Sequence, residues 1–429
     1  QVRFPIPAAG RYPGNLSVNL TYVNFLEERE MKTNEANENR IEIEFCGRKL
    51  QSPFILTSGP LCYSAEGMIK GYQAGAGAVV TKTIRLSPAV NPIGHIARFG
   101  QNSLINAEKW ADIPFEQWCE VEIPQAVASG ATVIASVGHT LKEAEAIVGE
   151  VEKAGSHMIE LVSYREETLL PMLDFAKGHV SIPVICKLSG NWSDPIESAR
   201  KCIEHGADGI CAIDSIGPVL KIDIRNARPV MFGNDGYGWL TGEAIRPIAL
   251  RIVAEIAMRF PDYRNIYGSG GIMSAENALE YVMAGAMGAG ICSVGILKGV
   301  EFIRQLNRQL IKMLDVLGYP DIQSAYRAAL SNFPGTERIR HYDFHFEPFK
   351  PDGSPKCIQC KRCEQVCCYD ARRLDFPQMQ VDSRRCRDCG MCVDICPTGA
   401  LTAAWAEQSD RERKKAALSA DFDREIRES

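Results

Sequence analysis

The stretch Asn265–Ser293, NIYGSGGIMSAENALEYVMAGAMGAGICS, holds one complete strand–helix–strand unit. A short apolar run ends in the glycine-rich turn Gly268-Ser269-Gly270-Gly271. Ser274 can then cap a helix over Ala275–Ala284, and a second apolar run follows at Gly288–Ser293. Neither run alternates polar with apolar residues. Both therefore predict strands buried on two faces, as in a parallel sheet.

The same unit recurs outward from this stretch. Further apolar runs lie at Pro53–Gly59, Ala78–Ile84, Thr132–Gly138, Met158–Ser163, Pro183–Ser189 and Gly209–Asp214, making eight with the two above. Helical patterns separate them at Leu141–Ala154, Asp194–His205, Glu243–Arg259 and Ile296–Leu317, with Ser193 and Thr241 as further candidate caps. Eight such units between residues 41 and 317 predict an α/β fold, a closed (β/α)8 barrel, in preference to a doubly wound open sheet.

The chain has 429 residues, 45% of them hydrophobic, enough for one large domain and one small one. A net charge of −5 gives no electrostatic footprint for nucleic acid or anionic membrane. No apolar run reaches the length of a membrane span, about 18 residues. The first forty residues are Pro-, Asn- and Glu-rich and show no secretory pattern; they are expected to form an extension. Two glycosylation sequons there, at Asn15 and Asn19, read as chance matches. A reducing, cytoplasmic location is expected from the many cysteines without regular spacing.

Eight of the sixteen cysteines form two matched runs. The first is Cys357-x2-Cys360-x2-Cys363-x3-Cys367, and the second is Cys386-x2-Cys389-x2-Cys392-x3-Cys396 with Pro397 after it. Paired runs at this spacing predict two [4Fe–4S] clusters with crossed ligation. Cys357, Cys360, Cys363 and Cys396 would hold one; Cys386, Cys389, Cys392 and Cys367 the other. Zinc sites or disulfides fit this triple spacing poorly. Cys368 reads as a bystander. Residues 357–404 are thus expected to be a ferredoxin-like α+β domain, residues 318–356 a linker, and residues 405–429 a charged tail.

In a (β/α)8 barrel the chemistry sits at the C-terminal ends of the strands. The turns after strands seven and eight, Gly268–Gly271 and Cys292-Ser293, suit a phosphate held by backbone N–H groups. Lys82 ends the second strand and Lys187 the fifth. Either can stabilise negative charge at the mouth, or can serve a structural ion pair.

Several of these segments resemble the flavin barrel of the dihydropyrimidine dehydrogenase family and, less closely, dihydroorotate dehydrogenase. They are Ser58-Gly59-Pro60, Val80–Thr83, Pro183–Ser189, Thr241–Arg251, Gly268–Ile272 and Cys292-Ser293. The paired cysteine runs resemble the same family. The resemblance spans residues 41–404 and implies FMN. Thr57, Ser58 and Gly59 would contact the flavin ring, with Lys82 and Lys187 on its pyrimidine side. Gly242, Gly270, Gly271, Cys292 and Ser293 would line the ribityl phosphate. Asn102, Asp214 and Ser215 fall where the family grips its pyrimidine.

One motif departs from the family. After strand four the family carries Asn-x-Ser-Cys-Pro, whose cysteine is the acid. Here the chain reads Glu160-Leu161-Val162-Ser163-Tyr164-Arg165. Arginine cannot replace that acid, because its pKa exceeds about 12. Replacement acids are Tyr164, Glu166, Glu167 and His139, with Tyr164 best placed. Arg165 could instead bind a substrate carboxylate or phosphate. The family's mobile loop is also clipped, and Thr168–Pro171 runs almost directly into the next helix. Trp192, Tyr237 and Trp239 could roof the site.

The expected function is an iron–sulfur flavoprotein oxidoreductase. Its clusters and FMN would pass electrons for reduction or oxidation of a C–C double bond in a small cyclic substrate. No second glycine-rich dinucleotide fingerprint appears. A partner is therefore expected, either an NAD(P)H-oxidising flavoprotein subunit or a ferredoxin, and the resemblance suggests a dimer. Two rivals stand beside this: an electron-transfer subunit whose barrel no longer turns over a substrate, and a barrel that has lost FMN.

Overall fold

The computed structural model describes residues 39–333 and 341–406, which fall into two compact units divided after Asn332. All eight predicted runs form strands. They are β1 (Phe54–Leu56), β2 (Ala78–Val80), β3 (Val133–Gly138), β4 (Met158–Val162), β5 (Val184–Leu188), β6 (Gly209–Ala212), β7 (Ile266–Ser269) and β8 (Gly288–Ile291). They pair in parallel in sequence order, and β8 pairs with β1 to close the barrel. Strands buried on both faces explain the unbroken apolar runs.

The strands alternate with helices α1 (Ala65–Gln73), α2 (Ile123–Ala128), α3 (Leu141–Lys153), α4 (Glu166–His179), α5 (Pro195–Glu204), α6 (Arg246–Arg259), α7 (Ala275–Met283) and α8 (Phe302–Leu317). Ser274 caps α7 as expected, its hydroxyl accepting from Asn277 N–H. At α5 the cap is Asp194, not Ser193, because its carboxylate reaches the N–H groups of Ile196 and Glu197. Thr241 lies in a strand, and Ile245 precedes α6. The single helix expected over Ile296–Leu317 is broken. Ser293–Lys298 stops at Gly299, whose φ of 87° ends it, and α8 starts afresh. Thr168–Pro171 lies inside α4, so the clipped loop has become helix.

Two insertions escaped the reading for strands. Ile96–Phe99 and Ser103–Asn106 follow β2, and Ile216–Val219 and Gly238–Gly242 follow β6. Together they make one antiparallel sheet, with Trp239 opposite Asn106. At the other end of the barrel, the hairpin Ile43–Phe45/Arg48–Leu50 sets Phe45 edge-on to Tyr267 of β7, with ring centroids 5.8 Å apart.

The expected linker is not one piece. Residues 318–332 pack on the barrel: Ile322 and Ala325 are buried, and Arg327 donates to the carbonyl of Ala257 at 2.8 Å. His341–Phe346 instead pairs with Leu401–Ala406 and belongs to the cysteine-rich unit. The expectations for residues 1–38 and 407–429 lie outside the described residues.

Gly268 in β7 meets the ring of Tyr281, where an added Cβ would come within 2.1 Å. Gly268→Ala is expected to destabilise the barrel by about 1–3 kcal/mol through overpacking, read as a lower urea midpoint. An unchanged midpoint would show that the Tyr281 ring yields freely.

Candidate functional site

The mouth of the barrel contains two adjoining chambers. The first has an open volume of about 740 Å3. Its walls include Thr57, Ser58 and Gly59 after β1, Gly242 before α6, Gly270 and Gly271 after β7, and Cys292 and Ser293 after β8. Much of this wall is bare backbone by necessity. A Cβ at Gly59 would meet Cys292 Sγ at 2.7 Å, and one at Gly242 would meet the Asn102 carbonyl at 2.4 Å, with φ at 85° besides. Ser293 Oγ donates to Thr241 Oγ1 at 3.0 Å, tying the last turn to the inserted sheet.

The second chamber opens to about 1600 Å3. It shares Ser58, Gly59, Asn106, Lys187, Asp214 and Ser215 with the first, so the two form one continuous site. Lys82 lies on this side only, buried against Glu108 in an ion pair. Lys187 is buried at the junction, with Nζ 3.7 Å from Glu160 and 3.8 Å from Asp214. Burial alone would lower its pKa, but the carboxylates of Asp214 and Glu160 outweigh this and hold the ammonium above its ordinary value. Glu160 is completely buried. Burial, opposed by Lys187, pushes its carboxyl above the usual range, and Tyr267 donates its hydroxyl to it.

An aromatic wall bounds the second chamber. His139 stacks on Tyr164, with centroids 4.2 Å apart and planes at 13°, and meets Trp110 edge-on at 5.6 Å. The wall is braced from behind. Arg85 lies over Trp110 at 4.1 Å and grips Glu143 through two bonds of 2.5 and 3.0 Å. Glu143 accepts from the His139 backbone N–H at 2.7 Å and from the hydroxyl of Thr140, the cap of α3. Burial first, then the charge of Arg85, pulls the His139 imidazole down to about 4, so the ring is neutral near pH 7. Its Nδ1 is buried without a partner. Partial desolvation, then the Asp214 carboxylate, raises the Tyr164 phenol.

Several candidate site residues are elsewhere. Arg165 is exposed at the start of α4 and lines neither chamber; its neighbour Tyr164, itself 60% exposed, lines the second. Asn102 sits at the strand turn and donates to Glu243 at 3.0 Å; Asn106, four residues on, faces both chambers. Glu166 pairs with Lys201 at 2.8 Å, and Glu167 and Tyr237 line neither chamber. Trp239 lines the second chamber, while Trp192 donates to the Tyr164 carbonyl at 3.3 Å. Asn106, Glu108 and Trp110 were missed as site residues. The two-strand pattern either side of Gly100 was the available signal.

In the second unit the eight cysteines divide into two sets. Cys357, Cys360, Cys363 and Cys396 line one small cavity. Cys367, Cys386, Cys389 and Cys392 line another. Each set takes three thiols from one run and one from the other. Cys368 lines neither cavity. One zinc ion would draw its thiols to about 2.3 Å from a single point. Among the described residues no Cys, His, Asp and Glu side chains converge in that way.

The sequence pattern of the dihydroorotate dehydrogenase family matches residues 130–314, and that of the 4Fe-4S dicluster domain matches residues 356–400. The catalytic subunit of dihydroorotate dehydrogenase B (NAD(+)) from Thermoplasma acidophilum is 31% identical over 301 residues, covering 66% of this chain and 97% of that one. The NAD-dependent dihydropyrimidine dehydrogenase subunit PreA of Escherichia coli is 26% identical over 395 residues, covering 84% of this chain and 94% of that one. The chain belongs to the dihydroorotate dehydrogenase family and carries a ferredoxin-type 4Fe-4S domain at its C-terminal side. Among the described residues no helix is long and apolar enough to cross a membrane.

The neutral His139 has a pH consequence. An unfolded chain takes up its proton near 6.5, but the folded chain does so only near 4. Between these values the unfolded state binds more protons, so stability falls as pH falls, by about 3 kcal/mol for this group. His139→Gln should flatten the urea-stability profile between pH 6.5 and 4. Equal slopes in the two proteins would contradict a neutral buried ring.

Proposed function

We propose that this protein is an iron–sulfur flavoprotein oxidoreductase of the CH–CH class, with FMN in the first chamber and a planar, conjugated cyclic substrate in the second. The observation that carries the reading is the open second chamber, which joins the glycine-walled one through Lys187, Asp214 and Ser215. An electron-transfer subunit without a substrate has no use for such a chamber.

The residues present fit FMN. The first chamber offers bare backbone, hydroxyls from Thr57, Ser58 and Ser293, and a cation at its junction with the second. Bound there, FMN would supply hydride transfer and the bridge between one- and two-electron chemistry. Lys187 keeps a positive charge at that junction, and Asp214 and Glu160 keep it protonated. Asn106, Asn191 and Ser215 offer donors and acceptors to the polar edge of a ring. Trp110, His139 and Tyr164 on one side, with Trp239 among the other lining residues, suit a flat π face. Val162 stands where the family's asparagine would be and offers no hydrogen bond, so the grip on a pyrimidine is weaker here. Such a loss is worth on the order of 1–3 kcal/mol. A pyrimidine remains within the class, beside larger cyclic enones and enoic acids.

Tyr164 is the proton donor in this reading. Its phenol holds its proton at neutral pH and lines the substrate chamber. Arg165 has no part in it. The eight cavity-lining cysteines hold two [4Fe–4S] clusters that relay single electrons. The electron partner is an NAD(P)H-oxidising flavoprotein subunit or a ferredoxin, in keeping with the relatives named as subunits of NAD-dependent enzymes.

The test uses anaerobic protein reduced with dithionite and freed of excess reductant. Flavin absorbance is followed while uracil, thymine, orotate, cyclic enones and cyclic enoic acids are added. Rapid reoxidation by one group names the substrate. Tyr164→Phe should then slow that step by about 10²–10⁴-fold while substrate binding persists. A reduced flavin that ignores the whole panel yet reduces a redox protein would replace this reading with the electron-transfer subunit.

A further inference from the structure

The two cysteine-lined cavities differ in one buried charge. Arg372 opens the strand Arg372–Asp375, which pairs with Gln378–Val381. Its side chain lines the cavity of Cys367, Cys386, Cys389 and Cys392. The residue is 7% exposed, and Nη1 and Nη2 are both buried with no hydrogen-bond partner. The guanidinium lies 4.1 Å over the ring of Phe344, which fixes its plane and supplies no acceptor for its terminal nitrogens.

A buried guanidinium with idle donors is costly unless something in the cavity accepts from it. A [4Fe–4S] cluster does so, because its sulfides and thiolates are anionic acceptors, and hydrogen bonds to them set its potential. The cavity's other cation, Arg387, is exposed and donates to the Arg384 carbonyl at 3.0 Å. Its nearby anion is Asp388, whose Oδ1 lies 3.4 Å from Cys386 Sγ. The cavity of Cys357, Cys360, Cys363 and Cys396 has no counterpart to Arg372. Ile358, Leu374, Met379 and Leu401 contribute its apolar lining, and its cations, Lys361 and Arg362, are exposed, where water and salt screen them.

We propose that Arg372 donates to the cluster held by Cys367, Cys386, Cys389 and Cys392 and makes it the higher-potential member of the pair. Reduction adds one electron to an already anionic cluster and needs no proton. A fixed cation therefore favours the reduced form. The first electron to reach the domain from the redox partner rests at this cluster, and the other handles the electron only transiently. The inference rests on the reading that both cavities hold clusters.

The test is a potentiometric titration of the intact holoprotein followed by electron paramagnetic resonance, with iron and sulfide counted first. Fewer than two clusters in the wild type would defeat the underlying reading, whatever Arg372 does. With two clusters present, wild type should titrate in two separate one-electron steps. Arg372→Gln should lower the upper step by at least tenfold in its equilibrium constant, about 59 mV, and leave the lower one in place. Arg387→Gln should move neither. An upper step unmoved by Arg372→Gln, or a fall in the lower step alone, overturns the proposal. Should the variant lose a cluster, the wild type answers by itself. With 15N-arginine incorporated, pulsed resonance should show a nitrogen coupling at the cluster that reduces first, and a coupling absent there overturns it equally.

Discussion

The site depends on the buried ammonium of Lys187. Lys187 enters the barrel from β5 with almost no exposure, and it stays charged because β4 and β6 each bring a carboxylate near it. Residue pairing makes this geometry obligatory: Val162 sits beside Lys187 across β4–β5, which sets Glu160 one inward step below it. Asp214 leaves the end of β6 at the same level. Removing one partner from such a group usually costs about 3–5 kcal/mol, since the charge left behind is uncompensated. The arrangement therefore needs a closed barrel, and the closed barrel places a fixed positive charge where the two chambers meet.

Above that charge the chain rebuilds what its sequence gives up. A loop after β4 would normally follow the family motif, but here α4 begins at Glu166 and leaves only a short turn. Tyr164 fills the place by stacking on His139, and His139 is held by the end of β3, the cap of α3 and the Glu143–Arg85 pair. The wall is thus made from backbone termini and one bidentate ion pair, not from a mobile segment. Under the proposed function, such a wall would select a substrate by its flat face more than by its polar edge.

Much of this is legible in the sequence. Continuous apolar runs gave all eight barrel strands, because burial on both faces removes polar alternation. Matched cysteine spacing gave the two thiol sets, because tight turns of fixed length leave few ways to surround a cavity. Less legible was everything that depends on the inserted sheet. Its strands are short and half-exposed, so their pattern is weak, and the register that turns Asn106 inward and Asn102 outward is a tertiary outcome. Arg165 failed for a related reason. Adjacent residues at a helix start point in different directions, and sequence alone does not say which of Tyr164 and Arg165 faces the chamber.

The cysteine-rich unit raises a different problem of stability. Among its described residues, the buried apolar side chains are few: Ala371, Leu374, Cys392, Ala400 and Leu401. A core that small does not offset the entropy of ordering the chain around it. The unit is nonetheless built from short strands and turns, and it contains two cavities ringed by thiols. Metal–sulfur bonds can supply the missing cohesion, as they do in other small domains whose folding is coupled to their metal. On the proposed two-cluster reading, the group in the second cavity would act twice over: it would join strands that have little else to bury, and it would accept from the guanidinium of Arg372. On that reading the bonds that hold the domain together would also carry its electrons, coupling its stability to its redox state.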